Sequence, residues 1–426
     1  MNTQQKYAAY MLPLAVKTVQ PVTIERAEGC RMWDAEGREY LDCFAGIAVV
    51  NAGHNHPRVL AAAREQMDKL VHCCTYVYSS APVADLAEKL AQVTPGGLSK
   101  TFFSNSGAEA IEGAMRLAKQ ATGRRELVAL GLSFHGRTVG TLSITGNCIR
   151  KRNNGPYLSG VAFAPPPYCY RCPLGLTYPE CGCACAQALE ATIRQQTSDD
   201  VAAFIAEPVL GEGGILAPPP EYFRIAVDIV RAHGGVFLCD EVQTGFGRTG
   251  KLFAIEHYGV EPELMTLAKG IADGFPLSAF LAGETIAEAM QPGDHLSTFG
   301  GNPVSCAASL ANISVLQEEK LVDNAAARGE QLLAALAKLQ ERRPAIGDVR
   351  GKGLMIGAEL VKDRSTKEPA PDLAKAVRTR LRERGVLVGV GGAHGNVVRL
   401  QPPLCIREQD CARVADELDQ ALAEGA

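Results

Sequence analysis

Short apolar segments alternate with longer segments of helical periodicity through most of the chain. Residues 106–121 and 222–232 carry apolar side chains at helical spacing and predict helices, the second of which is closed by Gly234 and Gly235. The apolar segments around them predict strands at 100–103, 202–206, 236–242 and 264–268. Strands that alternate with helices are typical of a mostly parallel sheet flanked by helices, so the pattern predicts an α/β fold.

The pattern changes near residue 322, where long charged segments of helical periodicity begin. Helices are predicted at 325–342, 372–384 and 407–424, and strands at 354–360 and 397–400. This change indicates a smaller C-terminal α+β domain. We therefore expect three parts of the chain: residues 1–50 as an N-terminal arm that contributes to the small domain, residues 51–321 as a large domain, and residues 322–426 as the C-terminal small domain.

Composition and charge exclude several classes of function. The chain has 426 residues, of which 46% are hydrophobic and 21% charged, a composition that supports a large core and is too apolar for disorder. With 43 basic and 47 acidic residues the net charge is −4, without the basic surplus that nucleic acids and anionic membranes require. The apolar run at 8–16 is interrupted by Pro13 and is shorter than the roughly 20 residues of a membrane span. We expect a soluble, cytoplasmic protein that binds neither nucleic acid nor membrane.

The chain contains 14 cysteines, and five of them lie close together after the proline-rich stretch at 164–167. The chain is long and we expect no export signal, which argues against a secreted disulfide framework. Cys-x2-Cys is typical of zinc knuckles, but Cys-x-Cys-x-Cys matches the usual second pair poorly, so metal ligation, a disulfide or redox-responsive loop, and free thiols all remain open. We expect no obligatory metal. The five residues are Cys169, Cys172, Cys181, Cys183 and Cys185.

Three chemically distinct groups follow the predicted strands. Ser106, Gly107 and Ala108 lead into a helix whose N-terminus can hold a phosphate. Asp240 ends a buried strand, where an ionised carboxylate needs a cationic partner. Lys269 follows another apolar strand, and desolvation lowers the pKa of a lysine, as an amine that forms a Schiff base requires. A phosphate site, a buried acid and an imine-forming lysine are the groups that pyridoxal phosphate needs.

Seven short motifs occur in a fixed order along the chain. They are GIAV at 46–49 with GHNHP at 53–57, SGAEA at 106–110, FHGRT at 134–138, EPV at 207–209 with GEGG at 211–214, DEVQTGFGRTG at 240–250, KG at 269–270 and TFGGNP at 298–303. In these motifs the sequence resembles the class III pyridoxal-phosphate aminotransferases of fold type I, and the 4-aminobutyrate aminotransferases most of all. The resemblance covers nearly the whole chain.

The resemblance implies a fold, a cofactor and an assembly. The fold is a large domain with a mostly parallel seven-stranded sheet and a smaller α+β domain formed by both chain ends. Lys269 holds the cofactor and moves a proton, and Asp240 faces the pyridine nitrogen. Gln243 bonds the phenolic oxygen, and Phe134 stacks on the ring. The active unit is a homodimer with shared sites, and a tetramer of dimers stays open. The remaining cofactor contacts are Ser106, Gly107 and Ala108 on the phosphate, with Thr298 supplied by the neighbouring subunit.

Substrate recognition follows from the same resemblance. Arg137 matches the arginine for the distal carboxylate, and Arg399 the arginine for the α-carboxylate of glutamate; the guanidinium fork suits both. Glu212 matches the acid that neutralises Arg399 while an ω-amine is bound. Ile47 lies where the 4-aminobutyrate enzymes present an apolar wall, which disfavours ornithine, and Glu207 belongs to the same substrate-binding set. The implied reaction moves the amino group of an ω-amino acid, foremost 4-aminobutyrate, to 2-oxoglutarate.

Other functions stay open. Arg137 and Glu212 also occur in enzymes of the acetylornithine type, and a racemase or epimerase of the same lineage would use every cofactor residue. In a different class, the five clustered cysteines could serve a metal- or redox-binding protein on an inactive scaffold. His54, His56 and His135 are expected to have structural roles in turns, because Lys269 already supplies the proton transfer.

Overall fold

The computed structural model describes residues 1–12 and 20–424, so the apolar run at 8–16 and the N-terminal arm lie partly outside the described residues. The strands are β1 (Ile24–Glu28), β2 (Arg31–Asp34), β3 (Glu39–Asp42), β4 (Lys100–Ser104), β5 (Glu126–Leu130), β6 (Val161–Ala164), β7 (Val201–Ala206), β8 (Val236–Asp240), β9 (Leu264–Leu267), β10 (Ser278–Ala282), β11 (Ile346–Lys352), β12 (Met355–Asp363), β13 (Glu368–Pro369), β14 (Val386–Leu387), β15 (Gly389–Gly391) and β16 (Val397–Leu400).

Helices connect the strands and cover the sheets. They are α1 (Thr3–Tyr10), α2 (Ala45–Ala48), α3 (Pro57–Lys69), α4 (Ala81–Val93), α5 (Gly107–Thr122), α6 (Val139–Ser143), α7 (Cys148–Lys151), α8 (Ala184–Gln196), α9 (Tyr222–Ala232), α10 (Glu284–Ala287), α11 (Pro303–Glu318), α12 (Leu321–Arg342), α13 (Pro371–Glu383) and α14 (Glu408–Ala423). None of these described helices is both long and apolar enough to cross a membrane.

The central sheet has seven strands in the spatial order β4, β10, β9, β8, β7, β5 and β6. Strand β10 runs antiparallel to both of its neighbours, and the other pairs are parallel. Every residue of β7, with the sequence VAAFIA, is buried. A parallel strand covered on both faces needs this continuous apolar run, and an alternating pattern would suit a strand with one wet face. The predicted mostly parallel seven-stranded sheet is confirmed.

Two of the predicted strands end earlier than expected, and both ends belong to the candidate site. Strand β8 stops at Asp240, because the Asp240 carboxylate accepts a hydrogen bond from the backbone N–H of Val242 at 3.0 Å and turns the chain. Strand β9 stops at Leu267, and two residues later Lys269 has a φ of +47°. A side-chain hydrogen bond therefore ends β8, and an uncommon backbone conformation follows the end of β9, whereas hydropathy alone predicts that both strands continue.

Both chain ends contribute to smaller sheets. In one sheet β3 pairs in parallel with β14, so that Leu41 faces Val386 across the two ends of the sequence. The other is formed by β11, β12, β16 and β15, with β13 beside β12. The smaller α+β unit built from both ends is as predicted. The exact domain limits at residues 50 and 321 remain predictions.

The five clustered cysteines lie in the long connection between β6 and α8. All five line one cavity of about 10 Å³ beside Tyr168 and Tyr178, which offers room for about one water molecule. Desolvation raises the pKa of Cys169, whereas a hydrogen bond with Cys183 lowers the pKa of Cys185, so the clustered thiols do not share one tendency toward the thiolate that binds metals. Within residues 1–12 and 20–424, no group of three or more histidine, cysteine or acidic side chains is arranged to hold a metal ion.

We predict that protein purified without added metal contains no stoichiometric zinc or iron, because these thiols are not arranged around a common ion. Elemental analysis of the purified protein measures this directly. The double variant Cys172→Ser/Cys181→Ser should keep the metal content and the thermal unfolding midpoint of the unmodified chain. One equivalent of zinc or iron that disappears in the double variant would overturn the prediction.

Candidate active site

One cavity of about 450 Å³ collects most of the predicted site residues at the carboxyl ends of the central strands. Ligands of open α/β sheets bind at this edge. A wider groove of about 800 Å³ around Trp33 and His56 has none of the predicted site residues among its described lining. The predicted residues that line the 450 Å³ cavity are Ser106, Gly107, Ala108, Phe134, Arg137, Glu207, Asp240, Gln243 and Lys269.

Asp240 ends β8 with its carboxylate 3% exposed. One oxygen, Oδ2, lies 2.7 Å from Nδ1 of His135. The other, Oδ1, accepts hydrogen bonds from the backbone of Val242 at 3.0 Å and from the hydroxyl of Thr266 at 3.3 Å. The side chain of His135 is fully buried, and its Nε2 atom has no hydrogen-bond partner among residues 1–12 and 20–424. Asp240 is therefore held in one orientation by three groups, and His135 is part of the site although the sequence analysis gave it only a structural role.

Glu207 follows β7 and is 4% exposed. Its carboxylate accepts the backbone N–H of Phe134 at 2.9 Å and that of Gly211 at 2.8 Å. Desolvation raises the pKa of Glu207 to about 7, against the opposing effect of His135 and these two backbone donors. Both oxygens accept backbone hydrogen bonds, which supports a positioning role for Glu207, and its predicted substrate contact remains a prediction.

Lys269 lies just beyond β9 with a φ of +47°. This left-handed conformation is uncommon for a residue with a Cβ atom and persists only where the surroundings impose it. Desolvation lowers the pKa of Lys269, while the carboxylates of Glu212 and Asp240 act in the opposite direction. A lysine held in this way reaches the neutral amine form, which is the nucleophile, more readily than an exposed lysine.

The N-terminus of α5, where the sequence predicts a phosphate site, lies at the wall of the cavity. Ser106 caps the helix by accepting a hydrogen bond from the N–H of Glu109 at 3.3 Å. A Cβ atom on Gly107 would lie 2.9 Å from a methyl group of Val242. Glycine is therefore required here so that the first turn can approach the loop after β8, and the helix dipole favours an anion at this end.

Gln243 connects the cavity to a buried arginine. Its amide oxygen accepts hydrogen bonds from Nη2 of Arg399 at 2.9 Å and from Nε2 of Gln401 at 3.0 Å. Since these donors occupy the oxygen, the NH2 group of Gln243 is the end of the amide that can donate to an acceptor in the cavity. A Cβ atom on Gly211 would lie 2.3 Å from the Gln243 oxygen, so a larger residue at 211 would displace this amide.

Glu212 is shared by two arginines. Its Oε1 lies 2.5 Å from Nη1 of Arg399, and its Oε2 lies 2.7 Å from Nη2 of Arg150. The two guanidinium groups, with Arg399 the stronger, hold the pKa of Glu212 at about 2 despite its burial. The predicted pair of Glu212 and Arg399 is thus present, and Arg150 is an additional partner that the sequence analysis did not identify.

Three other predicted residues lie outside the buried part of the site. Arg137 is exposed at the cavity wall, with its guanidinium carbon 5.5 Å from the ring centre of Phe134. Ile47 is 41% exposed and is not among the lining residues, whereas Val49 of the same turn lines the cavity. Thr298 is exposed on the surface of the chain, and its contribution to a neighbouring subunit remains a prediction.

The family of the chain follows from comparison with known proteins. Residues 14–422 match the family model described as aminotransferase class III. The chain belongs to the class III aminotransferases. This match covers the cavity, both small sheets and the residues that the seven motifs contain.

Individual relatives carry different activities in their names. The chain is 40% identical to a leucine/methionine racemase of Thermococcus litoralis, over 99% of this chain and 95% of the relative. It is 38% identical to the 4-aminobutyrate aminotransferase GabT of Escherichia coli K12, over 97% and 96% of the two chains. Among solved structures, an (S)-enantioselective ω-transaminase from Thermomicrobium roseum matches with a TM-score of 0.92 and 37% identity, covering 99% and 97% of the two chains.

The cofactor of this class III aminotransferase is pyridoxal phosphate. The cavity residues fit it: the cradle at Gly107 suits a phosphate, Asp240 suits a protonated ring nitrogen, and the free amide end of Gln243 suits a phenolic oxygen. Lys269 lines the same cavity and is the amine that can bind the aldehyde. The predicted cofactor is confirmed, and the individual contacts remain predictions.

We predict that His135→Phe weakens cofactor binding at least about tenfold, because a buried hydrogen-bonded carboxylate that loses its partner costs about 1–3 kcal/mol or more. His135→Asn, whose amide can still donate to Asp240, should retain most of the affinity. Titration of the cofactor-free protein, followed by absorbance, measures both. His56→Phe is the matched control, since His56 lies outside this cavity and contacts Glu319 at 3.1 Å. Wild-type affinity in His135→Phe would contradict the role given to this histidine.

Proposed function

We propose that this class III aminotransferase moves the amino group of an ω-amino acid, with 4-aminobutyrate as the first candidate, to 2-oxoglutarate. The products are the corresponding semialdehyde and glutamate. The donor thus gains a carbonyl oxygen in place of its amino group, and 2-oxoglutarate gains the amino group in place of its carbonyl oxygen. The observation that carries the proposal is the ion pair between Glu212 and Arg399, whose nearest atoms are 2.5 Å apart next to Gln243.

The ion pair supports the use of two substrates with different numbers of carboxylates. Arg399 is 2% exposed, and leaving a buried charge without a partner costs about 3–5 kcal/mol. An ω-amino acid with one distal carboxylate needs only Arg137, and Glu212 then neutralises Arg399. Glutamate brings an α-carboxylate that replaces Glu212 on Arg399. A site with a removable internal carboxylate therefore accepts both substrates in turn.

The other residues of the cavity have separate roles in the proposed reaction. When bound, pyridoxal phosphate supplies a ring that withdraws electrons from the carbon carrying the transferred amine. Asp240 keeps a proton on the ring nitrogen through charge, and His135 keeps Asp240 oriented. Lys269, with its lowered pKa, accepts a proton from the substrate carbon as a free amine and returns it as an ammonium group.

The assembly and the cellular location belong to the same proposal. The exposed Thr298 and the neighbouring Phe299, which is 63% exposed, suit a surface that a second copy covers. We therefore propose a homodimer with shared active sites, alone or paired into a tetramer, acting on small molecules in the cytoplasm.

Racemisation of an amino acid is the second candidate, favoured by the 40% identity to the leucine/methionine racemase. A racemase would use the same cofactor residues, with Lys269 as a base for the α-proton and Asp240 at the ring nitrogen. It binds one amino acid and releases the same compound, so it does not need an internal carboxylate that alternates with a second substrate carboxylate. The pair of Glu212 and Arg399 favours the aminotransferase.

We predict that the enzyme forms glutamate from 4-aminobutyrate and 2-oxoglutarate. Coupled detection of glutamate measures the reaction, and a panel of donors, including acetylornithine and ornithine, with pyruvate as a second acceptor defines the range. Absence of glutamate together with loss of optical rotation from leucine alone would establish the racemase in its place. Glutamate formation from acetylornithine but not from 4-aminobutyrate would assign the other aminotransferase specificity.

We also predict that borohydride fixes the cofactor covalently onto Lys269 of the yellow protein, as peptide mass spectrometry would show. Lys269→Ala should lose at least about a hundredfold in activity, since a positioned acid–base group contributes about 10²–10⁴-fold. The control is Lys251→Ala, which changes an exposed lysine and should retain activity. A colourless protein whose Lys269→Ala variant is as active as the original would exclude the proposed chemistry and leave the metal- or redox-binding alternative.

A further inference from the structure

Glu212 has a second arginine partner, Arg150, in addition to Arg399. Arg150 belongs to the short helix α7, whose first turn is capped by Asn147 through a 3.2 Å hydrogen bond to the N–H of Ile149. Its Nη2 reaches Oε2 of Glu212 at 2.7 Å. Arg399 approaches the other oxygen, Oε1, from strand β16. The carboxylate is thus held from two directions by separate parts of the chain.

The two arginines differ in their exposure and in the number of side chains that they contact. The side chain of Arg399 is 3% exposed and also donates from Nη2 to Gln243 and Gln401, each at 2.9 Å. Its Nε is buried and has no hydrogen-bond partner in the part of the chain that the structure describes. The side chain of Arg150 is 35% exposed, and Glu212 is its ion-pair partner. Arg399 therefore has contacts that position it without Glu212, whereas the ion pair of Arg150 is with Glu212.

This difference matters when a substrate carboxylate takes Glu212's place on Arg399. Glu212 is 12% exposed, and burial of an unpaired carboxylate is strongly unfavourable. With Arg150 present, Glu212 keeps a charge-assisted hydrogen bond after Arg399 has turned to the substrate. Without Arg150, Arg399 would be the only described guanidinium that pairs with Glu212, and the separation of the pair would leave the carboxylate without an ion-pair partner from the described residues.

We propose that Arg150 is a specificity-determining residue that keeps Glu212 paired while Arg399 binds the α-carboxylate of a dicarboxylic substrate. Arg150 acts through Glu212 and so promotes the glutamate and 2-oxoglutarate half-reaction selectively. It leaves the half-reaction of an ω-amine unaffected, since Arg399 stays paired with Glu212 there. The inference rests on the proposed function, because it requires one site that alternates between substrates with and without an α-carboxylate.

The test compares Arg150→Met with Arg152→Met. Arg152 is exposed and lies two residues further along the same segment, so its variant removes the same charge without touching Glu212. Single-turnover absorbance measurements follow each half-reaction separately, first with 4-aminobutyrate and then with glutamate. Arg150→Met should raise the half-saturating concentration of glutamate and of 2-oxoglutarate about tenfold, equivalent to about 1.4 kcal/mol. The value for 4-aminobutyrate should change less than about twofold, and Arg152→Met should alter neither.

A double-mutant cycle distinguishes action through Glu212 from a general structural defect. In the background of Glu212→Gln, replacing Arg150 with Met should have little further effect on glutamate, because no anion remains to be held. Arg150→Lys should restore part of the selectivity by retaining the charge. Equal losses in both half-reactions, additive effects with Glu212→Gln, or unchanged glutamate saturation in Arg150→Met would each overturn the inference.

Measurements on the unmodified enzyme distinguish a failure of this inference from a failure of the proposed function. If the unmodified enzyme does not react with glutamate, the proposed function is wrong whatever Arg150 does. Calorimetric titration with glutarate, which has two carboxylates and no amine, and with butyrate, which has one, then tests Arg150 independently. Weaker binding of glutarate alone in Arg150→Met would support the role of Arg150, and equal binding of both acids in the two proteins would refute it.

Discussion

The buried carboxylate of Asp240 is the constraint on which the arrangement of the cavity depends. It ends a strand that is buried at every position, where an anion without partners is strongly unfavourable. His135 at 2.7 Å and the hydroxyl of Thr266 at 3.3 Å supply the partners. The loop after β5 and strand β9 must therefore lie against the end of β8, and Lys269, two residues beyond β9, arrives in the same cavity.

One amide group links the cavity to the buried ion pair. Gln243 lines the cavity, and its oxygen accepts a hydrogen bond from Arg399, which is paired in turn with Glu212. A change in the partner of Arg399 therefore affects a side chain that lines the cavity. Glu207 also links two separate segments of the chain, since its carboxylate accepts hydrogen bonds from the backbone N–H groups of Phe134 and Gly211.

Residues whose role depends on local chemistry were predictable from the sequence. Hydropathy located β8 and β9, and the polar residues that follow them, Asp240 and Lys269, line the cavity as expected. The contacts of His135 and Arg150 were not predictable, because their partners lie 105 and 62 residues away in the sequence. Neither residue has a neighbour that reveals its partner, and a histidine or an arginine in a loop is compatible with many roles.

The sequence by itself determined the alternation of strands and helices, the cofactor and the class of enzyme, because each depends on short segments whose composition and order carry the information. The resemblance already implied the pair of Glu212 and Arg399, whereas the other long-range contacts were decided by the tertiary structure alone. It placed Arg150 on Glu212, directed the Glu207 carboxylate to backbone N–H groups, and brought the five clustered cysteines to one small cavity. The physical reason is that ion pairs and buried hydrogen bonds form between residues that folding makes neighbours, whatever their separation along the chain.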